Sequence, residues 1–175
     1  MPGIWTSMVM TSGDSRAASR SASSPLAASP TTWRPRSRLR TSGDDILRLA
    51  ARTLHGAVQA IARPDSFVGH VGGDDFVAIT PEEAAKAVVE DLIERFDLEV
   101  PSLYDPEDAE RGWIEVENRR RQLERFPLVT ISVGVASTAT RRFGHYAEAV
   151  ATATEMKSLA KQQPGSSWAA DRRVG

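Results

Sequence analysis

Two glycines and two aspartates are adjacent in the segment GHVGGDDFVAIT, residues 69–80, between apolar runs. We call Gly72, Gly73, Asp74 and Asp75 the glycine–aspartate turn. Glycines leave backbone N–H groups open and let a phosphate approach closely, and paired carboxylates can hold a hard divalent cation such as Mg²⁺. Together these residues suit a metal-bound nucleoside triphosphate. A plain hairpin turn with solvated aspartates is the alternative, because glycine and aspartate are common in turns.

The segments around the turn predict a β-hairpin followed by a helix. Residues 66–70 and 74–79 are apolar enough to form the two strands, and the Gly-Gly pair supplies the positive φ angles that tight turns need. A helix is expected over residues 81–96, where Thr80 and Glu83 have capping-box spacing.

Two further helices and two further strands are predicted. Apolar residues recur at helical spacing over residues 45–62 and 143–161, and Tyr146 and Val150 of the latter are expected to face the core. The segment LVTISVGVA, residues 128–136, has the strongest strand pattern of the chain.

The remaining part of the chain between these elements is more polar. Residues 113–117 alternate like a half-buried strand, and residues 97–112 are expected to be a polar loop. The element order predicts an α+β fold, a mostly antiparallel sheet flanked by helices.

Composition excludes several classes of protein. The 175 residues contain no cysteine, which excludes disulfides and thiolate metal sites and favours a cytoplasmic location. The net charge of -1 gives no argument for nucleic acid. No run approaches the roughly 20 apolar residues of a membrane span, so membrane insertion is not expected. Residues 1–10 lack the basic start and apolar run of a secretory signal.

The first segment of the chain differs in composition from the rest. Residues 1–40 carry six arginines and one acid, with much Ser, Ala, Pro and Thr. Such a segment buries too little apolar surface to offset its ordering entropy. We therefore predict a disordered segment over residues 1–41, a folded domain over 42–165 and a C-terminal tail over 166–175.

Three separated motifs resemble one known family. GHVGGDDFVAI, and LVTISVGVA about fifty residues later, are similar to the motifs of the GGDEF family of diguanylate cyclases. Gly43-Asp44-Asp45-Ile46-Leu47 looks like the family's GDxxL stretch. The resemblance covers roughly residues 42–162. It implies a nucleotide-cyclase-like fold in a bacterial signalling enzyme, in which two facing domains, a transient homodimer, each carry GTP and form cyclic di-GMP with Mg²⁺ (or Mn²⁺).

The same resemblance assigns roles to individual residues. Gly72 and Gly73 match the phosphate-facing glycines. Asp74 and Asp75 match the catalytic, metal-binding acids, although Asp75 stands where the family usually has the longer glutamate. By the same matching, Asp44 contacts guanine and Lys161 reaches the phosphates. A solvated lysine at a helix end is the alternative for Lys161.

The sequence also departs from the family pattern. The family's first strand carries an aspartate that ligates metal, followed by an asparagine that reads guanine. Where they are expected, this chain has SPTTWRPRSRLR. We therefore predict that the first strand–helix unit is missing or replaced, and we hypothesise that residues 1–41 come from a shifted reading frame or a misplaced start.

The family's product-inhibition motif is altered too. Its RxxD spacing falls on Arg63 and Ser66, and Asp65 is one position off. Feedback binding is expected to be weak or absent, because serine cannot pair with a guanidinium as a carboxylate does. The segment 104–125 is interpreted as an insertion that forms a solvated hairpin.

Three functions agree with these observations. The first is a diguanylate cyclase-like GGDEF domain with impaired activity. The second is an inactive GGDEF domain that serves as a nucleotide-binding or protein-interaction module. A truncated gene product without an independent role is the third.

Overall fold

Helices and strands follow one another in an α+β order. The computed structural model describes residues 6–12, 43–62, 66–118, 120–139 and 141–173. In chain order the elements are β1 (Thr6–Ser12), α1 (Gly43–Ile61), β2 (Phe67–Gly72), β3 (Asp75–Thr80), α2 (Glu82–Glu99), a 3-10 helix (Val100–Leu103), α3 (Pro106–Arg111), β4 (Trp113–Glu117), β5 (Leu123–Pro127), β6 (Ile131–Ser137), α4 (Tyr146–Ala160) and β7 (Ser167–Ala170).

The main sheet has five strands in the order β2-β3-β1-β6-β7. Its pairs are antiparallel except β6 with β7, which run parallel. The predicted mostly antiparallel sheet with flanking helices is therefore confirmed. Strands β4 and β5 form a separate two-stranded sheet. None of the helices in the described ranges is long and apolar enough to cross a membrane.

Strand β1 is the centre of the main sheet. It pairs with β3 on one side and β6 on the other, so that Thr11 lies opposite both Asp75 and Ser132. The predicted disorder is therefore wrong for Thr6–Ser12. The first strand–helix unit was predicted to be missing or replaced, and this strand occupies the centre of the sheet. The composition of residues 1–40 as a whole predicted disorder. A short strand between two neighbours is nevertheless held by two ladders of backbone hydrogen bonds, which composition does not reveal. Residues 13–42, and with them the predicted loss of the first helix, lie outside the described residues.

The residues of strand β6 pack alternately on the two faces of the sheet. Ile131, Val133 and Val135 belong to the main core, which they share with buried side chains of α1 and α2. Successive side chains of a strand point to opposite faces. Gly134 and Ala136 therefore face the other side, where α4 packs. All six residues from 131 to 136 are buried, as expected for a strand covered on both faces.

Helix α4 lies unusually close to β6 at Gly134. A Cβ built on Gly134 would be 1.8 Å from the carbonyl oxygen of Ala153 and 2.4 Å from the backbone nitrogen of Lys157. Both neighbours are helix backbone atoms, which cannot move aside as a side chain can. The absence of a side chain at this position therefore sets the distance between helix and sheet.

Two local predictions around helix α2 are wrong. Thr80 is the last residue of β3, and Pro81 precedes the helix without a side-chain cap, so the expected capping box does not form. The expected polar loop over residues 97–112 is mostly helical, because α2 continues to Glu99 and is followed by the 3-10 helix and α3. Two of these helices begin with proline in the first turn, where the missing N–H costs nothing.

The inward face of α4 is also corrected at its start. Tyr146 and Val150 were expected to be buried, but they are 76% and 40% exposed. Phe143, which precedes the helix, packs against the cluster that contains Ala153. The helix begins at Tyr146 with His145 as its N-cap, whose Nδ1 accepts from the backbone N–H of Ala147.

The last strand extends the sheet beyond the predicted domain. Strand β7 lies within the predicted tail 166–175, and β1 lies within the predicted disordered segment. After β7 the backbone N–H of Asp171 donates to the carbonyl of Val135. The Asp171 side chain is buried and accepts from Arg173 Nε at 2.6 Å, while Arg141 Nη1 is 3.7 Å from its second oxygen. The hydrogen bond from Arg173 holds the pKa of the Asp171 carboxyl below its usual range.

We expect Gly134→Ala to destabilise the fold by about 1–3 kcal/mol, because the added methyl group collides with helix backbone. Gly43→Ala is the matched control, since a Cβ on Gly43 has no neighbour within 4 Å. Urea unfolding followed by circular dichroism measures both. Equal free energies of unfolding for the two variants would contradict the close approach.

Asp171→Asn should lower the free energy of unfolding by about 1 kcal/mol at pH 7, because a hydrogen bond to a charged group is lost. The lowered pKa means that this stabilisation is present above about pH 4 and is lost as the pH falls through the folded-state pKa. The difference between wild type and variant should therefore shrink below pH 4. A difference that stays constant from pH 7 to pH 3 would contradict the ion pair.

Candidate functional site

The glycine–aspartate turn closes the hairpin of β2 and β3. Gly72 pairs with Asp75, and Gly73 and Asp74 form the two-residue loop between them. Gly72 has a φ of 143° and Gly73 a φ of 59°, values that favour glycine. The predicted Gly-Gly hairpin is therefore present. A Cβ on either glycine would have no neighbour within 4 Å, so the backbone of the turn is open to approach from outside.

His70, on β2, forms a hydrogen bond with this turn. Its Nε2–H donates to the carbonyl of Gly73 at 3.0 Å, because a carbonyl can only accept. Its ring stacks on Phe76 with 4.7 Å between centroids, and the strand register shifts between His70 and Gly72. Its identity as a strand residue was predicted, whereas its contact with the turn was not. The contact could have been anticipated, because the side chain of a residue just before a tight turn lies beside that turn.

Asp75 forms an ion pair with a lysine that the sequence reasoning did not select. Lys157 Nζ on α4 lies 3.0 Å from Asp75 Oδ1. Lys157 is 8% exposed, while the Asp75 side chain is 39% exposed. The pair therefore places a positive charge on the inner side of the turn and leaves the outer side of the carboxylate in solvent.

The other predicted site residues are not joined to Asp75 in this way. Asp44 is exposed in the first turn of α1, and Lys161 is exposed directly after α4. Asp74 is half-buried in the turn. Across the described ranges, no hydrogen bond or ion pair connects Asp44 or Lys161 to the glycine–aspartate turn. Their proposed contacts with a nucleotide remain predictions.

The turn offers a divalent ion two carboxylates, and one of them is paired with a lysine. Within the described part of the chain, no group of three His, Cys, Asp or Glu side chains could hold a metal ion. Asp74 and Asp75 are two acids of the same turn, and one oxygen of Asp75 is already paired with Lys157. Mg²⁺ takes near-octahedral oxygen coordination from carboxylates, phosphates and water. The described side chains do not complete such a site.

The structure describes only part of the altered product-inhibition motif. Arg63 and Asp65 lie outside the described residues, and Ser66 precedes β2 as a half-buried residue.

The segment 104–125 includes most of the separate β4–β5 hairpin, as predicted. At its base, the guanidinium groups of Arg111 and Arg125 lie 4.1 and 4.3 Å from the centroid of the Trp113 ring.

Solved structures with this arrangement of strands and helices have been found in bacteria. The chain superposes on the diguanylate cyclase SiaD of Pseudomonas aeruginosa, solved with its activator SiaC, with a TM-score of 0.59 and 17% identity over 97% of this chain and 50% of that chain. It superposes on the active GGEEF domain of a Vibrio cholerae diguanylate cyclase with a TM-score of 0.59 and 14% identity, over 98% and 85% of the two chains. The chain has the GGDEF-domain fold.

A third similar structure was solved with a ligand. The GGDEF domain of DgcB from Caulobacter crescentus, in complex with c-di-GMP, superposes with a TM-score of 0.53 and 18% identity, over 96% of this chain and 78% of that chain. No protein-family model and no curated protein sequence matches the chain. The chain spans half the length of the SiaD chain. The resemblance drawn from the motifs is therefore confirmed as a GGDEF fold.

We expect Gly72→Ala to destabilise the chain by about 1–3 kcal/mol, because a φ of 143° is strained for any residue with a Cβ. Gly73→Asn should cost less than about 1 kcal/mol, since asparagine adopts the left-handed region at 59°. Urea unfolding compares the two variants. The turn geometry is wrong if asparagine at position 73 costs as much as alanine at position 72.

Proposed function

We propose that the chain is a GGDEF-type signalling domain that binds GTP at the glycine–aspartate turn and is impaired in forming cyclic di-GMP. The observation that carries the proposal is an open Gly-Gly turn followed by two carboxylates on a GGDEF fold. Successive backbone N–H groups in such a turn form a concavity suited to phosphate.

The nucleotide contacts in this proposal come from four residues. Gly72 and Gly73 face the phosphates, Lys161 adds a positive charge, and Asp44 hydrogen-bonds the guanine base. Asp44 and Lys161 are both exposed, so neither must leave a buried partner to bind a ligand. A second copy of the domain is required for synthesis of cyclic di-GMP, because each copy supplies one of the two GTP molecules.

Impairment is supported by the state of the acids. Mg²⁺ or Mn²⁺ bound by Asp74 and Asp75 would neutralise phosphate charge and activate the attacking hydroxyl. Asp75 is one methylene shorter than the usual glutamate, and its Oδ1 is held by Lys157. We therefore expect any metal-dependent turnover to be slow.

An inactive GGDEF domain is the second candidate. The Lys157–Asp75 ion pair favours it, because a carboxylate that is already neutralised does not need a metal. In this role the domain would bind GTP or a protein partner in the cytoplasm, without nucleic acid and without membrane insertion.

GTP binding and turnover separate these functions. Titration with fluorescent GTP should show saturable binding, and Asp44→Ala should weaken it about tenfold, because hydrogen bonds to a charged group contribute about 1.5–3 kcal/mol. Glu83→Ala is the matched control, since Glu83 is also an exposed acid in the first turn of a helix.

Turnover is measured by chromatography of cyclic di-GMP after incubation with GTP and Mg²⁺, then Mn²⁺, with Asp74→Ala as the inactive reference. We expect little or no product from wild type. Rapid product formation that disappears in Asp74→Ala would overturn the proposed impairment. A folded chain that does not bind GTP would overturn nucleotide binding as the function.

A further inference from the structure

A buried lysine contacts the candidate site, and the sequence motifs assign it no role. We propose that Lys157 is a fixed cation of the glycine–aspartate turn, which neutralises Asp75 and disfavours a divalent ion at that carboxylate. The inference rests on the proposed function and extends it. It names the residue that favours binding of a nucleotide over binding of a divalent ion.

The position of Lys157 follows from the packing of α4. Its backbone nitrogen is one of the two atoms nearest to the missing Cβ of Gly134, so the helix is pressed against β6 at this residue. Strand β1 lies between β6 and β3. The Lys157 side chain therefore links a helix packed on β6 to the first residue of β3, Asp75, on the other side of β1.

Burial makes the ion pair persistent. Surface lysines exchange partners freely, but only 10% of the Lys157 side chain is exposed. An ammonium group without a partner in such a place carries a large desolvation cost, and Asp75 is the carboxylate that satisfies it. The lysine therefore remains at the turn. The close contact at Gly134 also fixes the position of the helix backbone that carries it.

A divalent ion at Asp75 would meet two obstacles. Oδ1 of Asp75 already accepts from the ammonium at 3.0 Å, and an ion on the remaining oxygen would lie only a few ångströms from that positive charge. Like charges at this separation repel, and the half-exposed carboxylate reduces the repulsion through solvent without removing it. A nucleotide phosphate, in contrast, would gain from the same charge.

Mn²⁺ binding, followed by electron paramagnetic resonance without nucleotide, tests the inference in four chains: wild type, K157M, D75N and the double variant. We expect K157M to bind Mn²⁺ about tenfold more tightly than wild type, because the repelling charge is gone. We expect D75N to bind Mn²⁺ no more tightly than wild type, because the ammonium is then unpaired, and the double variant to lose the gain of K157M, because the freed carboxylate is gone. Lys86→Met, which removes an exposed lysine from α2, should change nothing.

Each outcome decides the question. Equal Mn²⁺ affinity in wild type and K157M, or a double variant that keeps the gain of K157M, would overturn the inference. If K157M does not fold, K157Q, which also removes the charge, takes its place in the same comparison. Failure of GTP binding with the expected Mn²⁺ pattern would overturn the proposed function and leave the role of Lys157 intact.

Discussion

The contact of helix α4 with strand β6 at Gly134 is the constraint on which the site depends. A side chain at this position would overlap the carbonyl oxygen of Ala153 and the backbone nitrogen of Lys157. Because there is none, the helix lies directly on the sheet, and Lys157 comes within reach of Asp75 two strands away. The missing Cβ of one residue thus determines the charge balance of a turn that belongs to a different hairpin.

That turn combines two opposite electrostatic preferences. Its glycine backbone suits an anion, whereas Asp74 and Asp75 repel one. A metal ion resolves this conflict in an exchangeable way, since it arrives with its ligand and leaves with it. A lysine resolves it permanently and with half the charge. The structure contains the second solution at Asp75, which is why nucleotide binding without efficient chemistry is the function that we favour.

Local patterns predicted the hairpin, the helices and strand β6, because each is encoded by residues close together in the chain. Lys157 was missed in favour of Lys161, although helical spacing places it four residues after Ala153 and three before Ala160, on the buried stripe. Strand β1 was missed for a different reason. Its partners are 64 or more residues away, from Thr11 opposite Asp75 to Thr6 opposite Ser137, and no local pattern records such a pairing.

The central place of β1 also orders the events of folding. Thr6–Ser12 is synthesised before either neighbour, and β6 follows it by more than a hundred residues. Until β6 exists, β3 and β1 can pair only as a partial sheet whose exposed edge can recruit strands of other molecules. Loops this long close slowly, since their entropy must be lost before the contacts form. We therefore expect the assembly of the sheet, rather than that of the helices, to limit the folding rate of this chain and to set the period in which it can aggregate.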